Sequence, residues 1–384
     1  MPKWQNIEFK DLAGVKGDDP QRTSASVPDG VAVLTAIDLF SGAGGLTLGL
    51  KQAGFRVLAG VELEDVPANT FRENHPDVLC IHKDIQILGV AELLMATSLK
   101  RGELDLLAGC PPCQGFSNLR TRKKANSVDD IRNDLLFQFL RIVEGTLPRT
   151  VMMENVPALA SDTRMRSFLK RLTQLGYKIG RRTIRIEDAA SYGVPQRRYR
   201  MILLASRTGQ IEAADRSEPV TVRQSLNAVR LAPVGQSKDP LHDHIPKRST
   251  RVEEIIRHIP KDGGSRMSLP DYLVLPCHKN RSSGFRDVYG RISWDKVSPT
   301  MTGGCGNPSK GRYIHPQEDR AISLREAAVF QTFPVDYKFD LSGGRDKVAL
   351  MIGNALPPEF IRRHALKIAK SLKNDRAYCD NGAC

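Results

Sequence analysis

Five short apolar runs fall within the first 206 residues, and four of them are followed by a segment whose apolar residues recur at helical spacing. The runs are VAVLTAIDLF (31–40), FRVLAGVELE (55–64), LDLLAG (104–109), TVMMENV (150–156) and YRMILLAS (199–206). Helical patterns lie at about 46–53, at 67–75, within NDLLFQFLRIVEG (133–145) and at 163–175. Strand-like runs alternating with helices predict an α/β fold, a parallel sheet covered by helices on both faces.

The alternation stops near residue 208. From there to about 320 the chain is rich in Arg, Lys, His, Gly and Pro, as in PKRSTRVEEIIRHIPKDGGSR (246–266), and promises only a limited core. Helical spacing returns in SLREAAVFQTF (323–333), and a last helix is expected from Pro358, placed at its first turn, to about Leu372. Four segments follow: a polar extension at 1–30, a sheet domain at 31–207, a smaller irregular domain at 208–320, and a return to the sheet domain at 321–384.

Lys and Arg number 57 against 43 Asp and Glu, a formal charge of +14, which favours a polyanionic partner such as nucleic acid. The seven cysteines are an odd number and no secretory leader opens the chain, so a reducing, cytoplasmic setting is expected. No run approaches the roughly 20 apolar residues of a membrane span.

The first run ends directly in SGAGG (41–45), where Gly42, Gly44 and Gly45 permit unusual backbone angles and close approach of a nucleotide-like ligand. Their spacing is not the GxGxxG dinucleotide fingerprint, which disfavours a nicotinamide oxidoreductase. Glu62, near the end of the second run, is placed to accept from ribose hydroxyls, Asp84 to accept from an adenine amino group, and Phe40 to touch a ligand ring. GCPPCQGFSN (109–118) holds a CxxC pair. A zinc site would need a second pair, which Cys80, Cys277 and Cys305 do not form, and no metal is expected. A redox dithiol would open a helix, whereas two prolines make a rigid turn. The turn therefore reads as one nucleophilic thiolate, Cys113, with Cys110 structural. Glu154, at the end of another run, is the acid that a parallel sheet would bring to the same edge.

Taken in order, DLFSGAGG, PPCQGFS, ENV, the Gln196, Arg198 and Arg200 of SYGVPQRRYR, VSPTMTGG (297–304) and MIGNALPP (351–358) resemble the motifs of the C5-cytosine DNA methyltransferases over roughly residues 31–373. The resemblance implies a Rossmann-like, S-adenosylmethionine-dependent sheet domain and a target-recognition domain at 208–320. It places Asp38, Phe40, Gly42, Gly44, Gly45, Glu62, Leu63, Asp84 and Asn354 around the methyl donor, which leaves as S-adenosylhomocysteine. Cys113 would add to carbon 6 of cytosine, Glu154 would support ring nitrogen 3, Arg200 would reach oxygen 2 and Arg198 would hold the catalytic segment.

A stacked cytosine hides its ring faces, so the base must leave the duplex at a cost of a few kcal/mol. Double-stranded DNA is thus the expected partner. Gln114, Ser117 and the basic run Arg120, Arg122, Lys123 and Lys124 would close over it, with Lys310 and Arg312 on the backbone. Arg281 and Arg286, in CHKNRSSGFRDVYGR (277–291), are the candidates for reading guanine. An RNA methyltransferase on the same fold is disfavoured because QTFP (331–334) stands where that branch carries Cys-Phe-Thr. A noncatalytic DNA binder would need none of Cys113, Glu154 and Arg200. The chain is read as a monomer, and a restriction endonuclease as a functional companion that the sequence neither requires nor excludes.

Overall fold

The computed structural model describes residues 33–112, 135–279 and 287–380. Strand β1 (Thr35–Leu39) leads through the glycine turn to α1 (Gly45–Gln52), β2 (Arg56–Glu62) to α2 (Asp65–Asn74), and β3 (Leu79–His82) to α3 (Val90–Ala96). Then come β4 (Leu106–Gly109), α4 (Leu135–Thr146), β5 (Thr150–Asn155), α5 (Thr163–Gln174), β6 (Ile184–Asp188) and β7 (Tyr199–Ser206). The sheet order is β3-β2-β1-β4-β5-β7-β6.

The sheet is not wholly parallel, as the alternation alone suggested. β7 runs antiparallel to both β5 and β6. The reason is the link: residues 189–198 are too few for the helical crossover that parallel neighbours require. The reversal has a functional consequence. Asn155 pairs with Met201, so β7 begins at the sheet edge where β5 ends.

Apolar side chains leave both faces. On one, Ala36, Ala108, Met152, Ile202 and Leu204 meet Leu46 and Leu50 of α1. Phe360, Ile361, Ala365 and Ile368 join them from the last helix, α11 below. On the other, Ile37, Leu39, Val151 and Met153 meet Phe139 and Val143 of α4 and Phe168 and Leu172 of α5.

Beyond the sheet lie α6 (Val222–Val229), α7 (Pro240–Asp243), α8 (Thr250–His258), α9 (Leu324–Phe330), α10 (Gly344–Asn354) and α11 (Pro358–Asp380). The last helix therefore continues past the expected end near 372. Val222, Leu241, Ile292 and Met301 share a core with Leu324, Phe330 and Ile352, so side chains from both sides of position 320 are packed together. A small separate core joins Ile255, Ile256 and Ile259 to Leu273, Tyr289 and Ile314. The wholly buried Arg291 fastens it, donating to the carbonyls of Ile256, Ile259, His315 and Glu318. No helix among the described residues is long and apolar enough to cross a membrane.

Candidate active site

The carboxyl edge of the sheet gathers the turn after β1, the ends of β2 and β3, the chain leaving β4, the end of β5 and the start of β7. Asp38 pairs with Ala108 and Ala108 with Met152, while Gly109 pairs with Met153. Paired residues share a face and every second residue returns to it. Asp38, Cys110 and Glu154 therefore stand on one face at that edge.

On the donor side, Phe40 takes φ +60°, a left-handed angle that a bulky residue rarely adopts. Gly42, at φ +54°, meets nothing within 4 Å where a Cβ would stand, and its N–H donates to Glu62 Oε2 at 2.8 Å. Glu62 Oε1 accepts from Leu63 N at 2.9 Å and Glu64 N at 2.8 Å. These bonds shape the rim and leave the carboxylate further lone pairs for a hydroxyl. Leu63 is 59% exposed there. Asp84 follows β3 and is fixed by accepting from Gln86 N at 2.9 Å. Asp38 is fully buried. Its Oδ2 accepts from Thr47 Oγ1 at 2.7 Å, Oδ1 has no partner, and burial pushes its carboxyl up to about 7.

Gly44 and Gly45 have a packing reason beside the one their spacing suggests. A Cβ on Gly44 would stand 2.5 Å from His75 Nε2 and 2.8 Å from the Tyr337 hydroxyl, and one on Gly45 2.7 Å from the Leu356 carbonyl. Protein already crowds the Cβ side of both positions.

On the base side, Glu154 Oε1 lies 2.8 Å from Arg200 Nε, an ion pair in which no aligned hydrogen bond reaches that oxygen. Burial raises the Glu154 carboxyl above the usual range, against the pull of Arg200 and Arg198. Cys110, beside it, is half-buried, and its thiol is held well above the ordinary value by loss of solvent around it and then by the Glu154 charge. Asn155 Nδ2 donates to the Pro111 carbonyl at 2.9 Å and so pins the start of the CPPC turn to the end of β5. Arg198 is buried and donates to the carbonyls of Met301 and Gly353, each at 2.9 Å. Burial, then the neighbouring Arg200, pushes its guanidinium down to about 9. Asn354 is exposed at the end of α10, one residue beyond that anchored carbonyl.

Cys113, Gln114, Ser117, Arg120, Arg122, Lys123, Lys124, Arg281 and Arg286 lie outside the described residues. Lys310 is exposed at the end of the turn Pro308–Lys310. Arg312 is a correction. Its Nη1 donates to the carbonyls of Gly263, Gly264 and Arg291 at 2.8 to 3.0 Å, and its other nitrogens face Asp287 at 3.4 Å. A guanidinium so engaged serves the fold, not a phosphate. Sequence reasoning also missed Gln331, described below, and the His75–Tyr337 support of the glycine turn. Neither carries a local signal, since Gln331 meets Gln196 across 135 residues and Tyr337 meets His75 across 262.

Residues 34–370 match the family model of C-5 cytosine-specific DNA methylases. The chain is 35% identical to type II methylase M.HgiDII of Herpetosiphon aurantiacus, over 88% of this chain and 94% of that protein. It is 31% identical to type II methyltransferase M1.HphI of Haemophilus parahaemolyticus, over 89% of this chain and 88% of that one. The fold recurs in the crystal structure of the S. pombe Dnmt2 methyltransferase, with TM-score 0.55 at 16% identity, covering 88% of this chain and 99% of that one. The chain therefore belongs to the C-5 cytosine-specific DNA methylase family, and it transfers a methyl group derived from S-adenosylmethionine to carbon 5 of cytosine in DNA.

Proposed function

We propose that Cys113 is the nucleophile of this reaction, with Glu154 and Arg200 as its partners on the base. The observation that carries the reading is the pairing of buried Glu154 with the half-buried Arg200, joined by Asn155 to the turn that leads into Cys113. Addition of the Cys113 thiolate to carbon 6 of a cytosine turned out of the duplex breaks the ring's aromaticity and loads electron density onto carbon 5. Glu154, its carboxyl raised by burial above the usual range, donates a proton to nitrogen 3 as charge develops there. Arg200 supports oxygen 2 and holds the carboxyl in place. Carbon 5 then takes the methyl group. Loss of the carbon-5 proton expels the thiolate and restores the ring.

The residues around the glycine turn fit the donor. Open space lies at Gly42, a buried carboxyl oxygen of Asp38 is unpartnered, and Glu62, Leu63 and Asp84 line the rim. S-adenosylmethionine supplies an electrophilic methyl on a sulfonium. Asp38, Phe40, Gly42, Glu62, Leu63, Asp84 and Asn354 would hold it. The basic segment 120–124 and Lys310 would neutralise phosphates, and Arg281 and Arg286 would read bases. One active site serves one base, so the chain works as a monomer. Its two quoted relatives are named type II enzymes, which supports a modification role beside an endonuclease.

The test is to incubate the protein with labelled donor and diverse duplex DNA and map the methylated positions. Cys113→Ala should bind S-adenosylhomocysteine normally and transfer no methyl. Normal turnover by that variant would remove Cys113 from the mechanism.

A further inference from the structure

Two buried amides join the donor side of the site to the base side. Gln196 is wholly buried just before β7, and Gln331, equally buried, follows α9. Gln331 Nε2 donates to the carbonyls of Ile352 and Ala355, at the end of α10 around Asn354. Gln196 Nε2 donates to Gln331 Oε1 at 2.8 Å and to the Phe330 carbonyl at 3.2 Å. Gln196 Oε1 accepts from Met301 N at 2.8 Å.

The orientation of both amides is dictated by these partners. Ile352 and Ala355 present only carbonyls, so Gln331 must turn its NH2 toward them and its oxygen toward Gln196. Gln196 must then offer its NH2, which leaves its oxygen for the Met301 N–H. Neither amide can flip without breaking the other's bonds. Arg198 closes the loop by bridging the carbonyls of Met301 and Gly353. Gly353 itself admits no Cβ, since one would stand 2.1 Å from the Thr302 carbonyl carbon. The end of α10, the 301 segment and the start of β7 thus share one set of buried polar contacts.

We propose that Gln331 is a positioning residue which, through Gln196, couples the order of the donor pocket to the placement of Arg198 and Arg200. The proposal rests on the roles given above to Asn354 and Arg200. A ligand that orders the 352–355 turn orders the amide chain and, with it, the segment carrying the base-side arginines. The coupling runs equally in reverse.

Hydrogen–deuterium exchange on the wild-type protein, with S-adenosylhomocysteine and without DNA, reads this directly. Protection is expected at 351–355 and also at Met301 and residues 196–200. Protection confined to the donor-side segments would overturn the coupling. Gln331→Met and Gln196→Met keep the volume and remove the amide. Each should weaken S-adenosylhomocysteine about tenfold in calorimetry and lower the single-turnover rate at saturating donor about tenfold, with the double variant no worse than the weaker single. A lowered melting temperature with an unchanged saturated rate, or unchanged donor affinity in Gln196→Met, would leave a merely structural role and refute the proposal. Should the variants fail to fold, the wild-type exchange result decides alone. Failure of the wild-type protein to methylate any duplex would tell against the functional assignment instead, since the exchange experiment uses no DNA.

Discussion

Replacing Asp38 by Asn tests how the sheet edge tolerates its buried carboxyl. Burial is the main reason the group moves from 3.8 to about 7, with the Thr47 bonds opposing it. The folded chain thus holds this proton more tightly than the unfolded chain does. Its stabilising contribution is whole below the unfolded value and is lost as pH rises through about 7. At about 1.36 kcal/mol per unit, a shift of about three units amounts to roughly 4 kcal/mol in all, of which more than half is lost between pH 5 and pH 8. Asn keeps an oxygen for Thr47 but places an NH2 where Oδ1 has no partner, at a pH-independent cost of about 1–3 kcal/mol. The difference in stability between Asp38→Asn and wild type should therefore move by roughly 2–3 kcal/mol in the variant's favour from pH 5 to pH 8. Urea unfolding followed by circular dichroism at the two pH values measures it, and every other titrating group cancels in the difference. A difference that stays constant across that interval would refute the reasoning.

Glu154→Gln keeps the shape of the site and removes the proton donor, so the single-turnover rate should fall about 10²- to 10⁴-fold with DNA binding little changed. Because burial raises the Glu154 carboxyl, the wild-type rate should decline on the alkaline side as that proton is lost, and a pH profile of the variant should lack this limb. Gly42→Ala should cost only about 1–2 kcal/mol, from its left-handed φ in open space, yet weaken donor binding in calorimetry, whereas Gly44→Ala should cost well over 2 kcal/mol in thermal or urea unfolding because its Cβ meets His75 and Tyr337. Lys310→Ala should lower the slope of log affinity against log salt by about 1 and leave the melting temperature alone, while Arg312→Ala should lower the melting temperature through lost bonds to three carbonyls.

Apolar runs made β1, β2, β4, β5 and β7 legible, because strands buried on both faces read as nearly continuous hydrophobic sequence. β3 and β6 escaped for the same physical reason turned round. LCIH and IRIED lie at the two edges of the sheet, the one only four residues long and the other broken by charges, and expose Leu79 and Ile186. α10 was hidden by its opening, GRDK, and by burial of Val348, Ala349, Met351, Ile352 and Gly353, which leaves no clean helical stripe. The direction of β7 could be argued only from the shortness of the link before it. In the site, residue types and order pointed to Glu154, Arg198 and Arg200, and the structure draws these three together. Arg312 misled because exposed and buried arginines look alike in a Gly- and Arg-rich segment.

The glycine turn shows why so much of the chain lies between the two halves of one pocket. Local sequence explains Gly42, whose angle and open surroundings suit a ligand. Gly44 is explained by His75 and by the distant Tyr337, and Gly45 by Phe333 and Leu356, about three hundred positions away. Tyr337 donates its single hydroxyl proton to the Ala43 carbonyl, so it can accept from His75 but not donate to it. Burial pushes His75 down to about 4, so its ring is neutral and carries its proton on Nε2, shared between Tyr337 and the Gly44 carbonyl at 3.2 Å. Nδ1 is then a bare acceptor, the cheaper group to leave without a partner, as it is here. The turn after β1 is thus supported by α2 and by the segment after α9 together. A fragment ending at the sheet domain would keep Asp38, Phe40, Gly42, Glu62, Leu63 and Asp84 but lose Asn354 and the contacts that set the turn's backbone, so the return of the C-terminal segment belongs to the proposed donor site as much as Gly42 does.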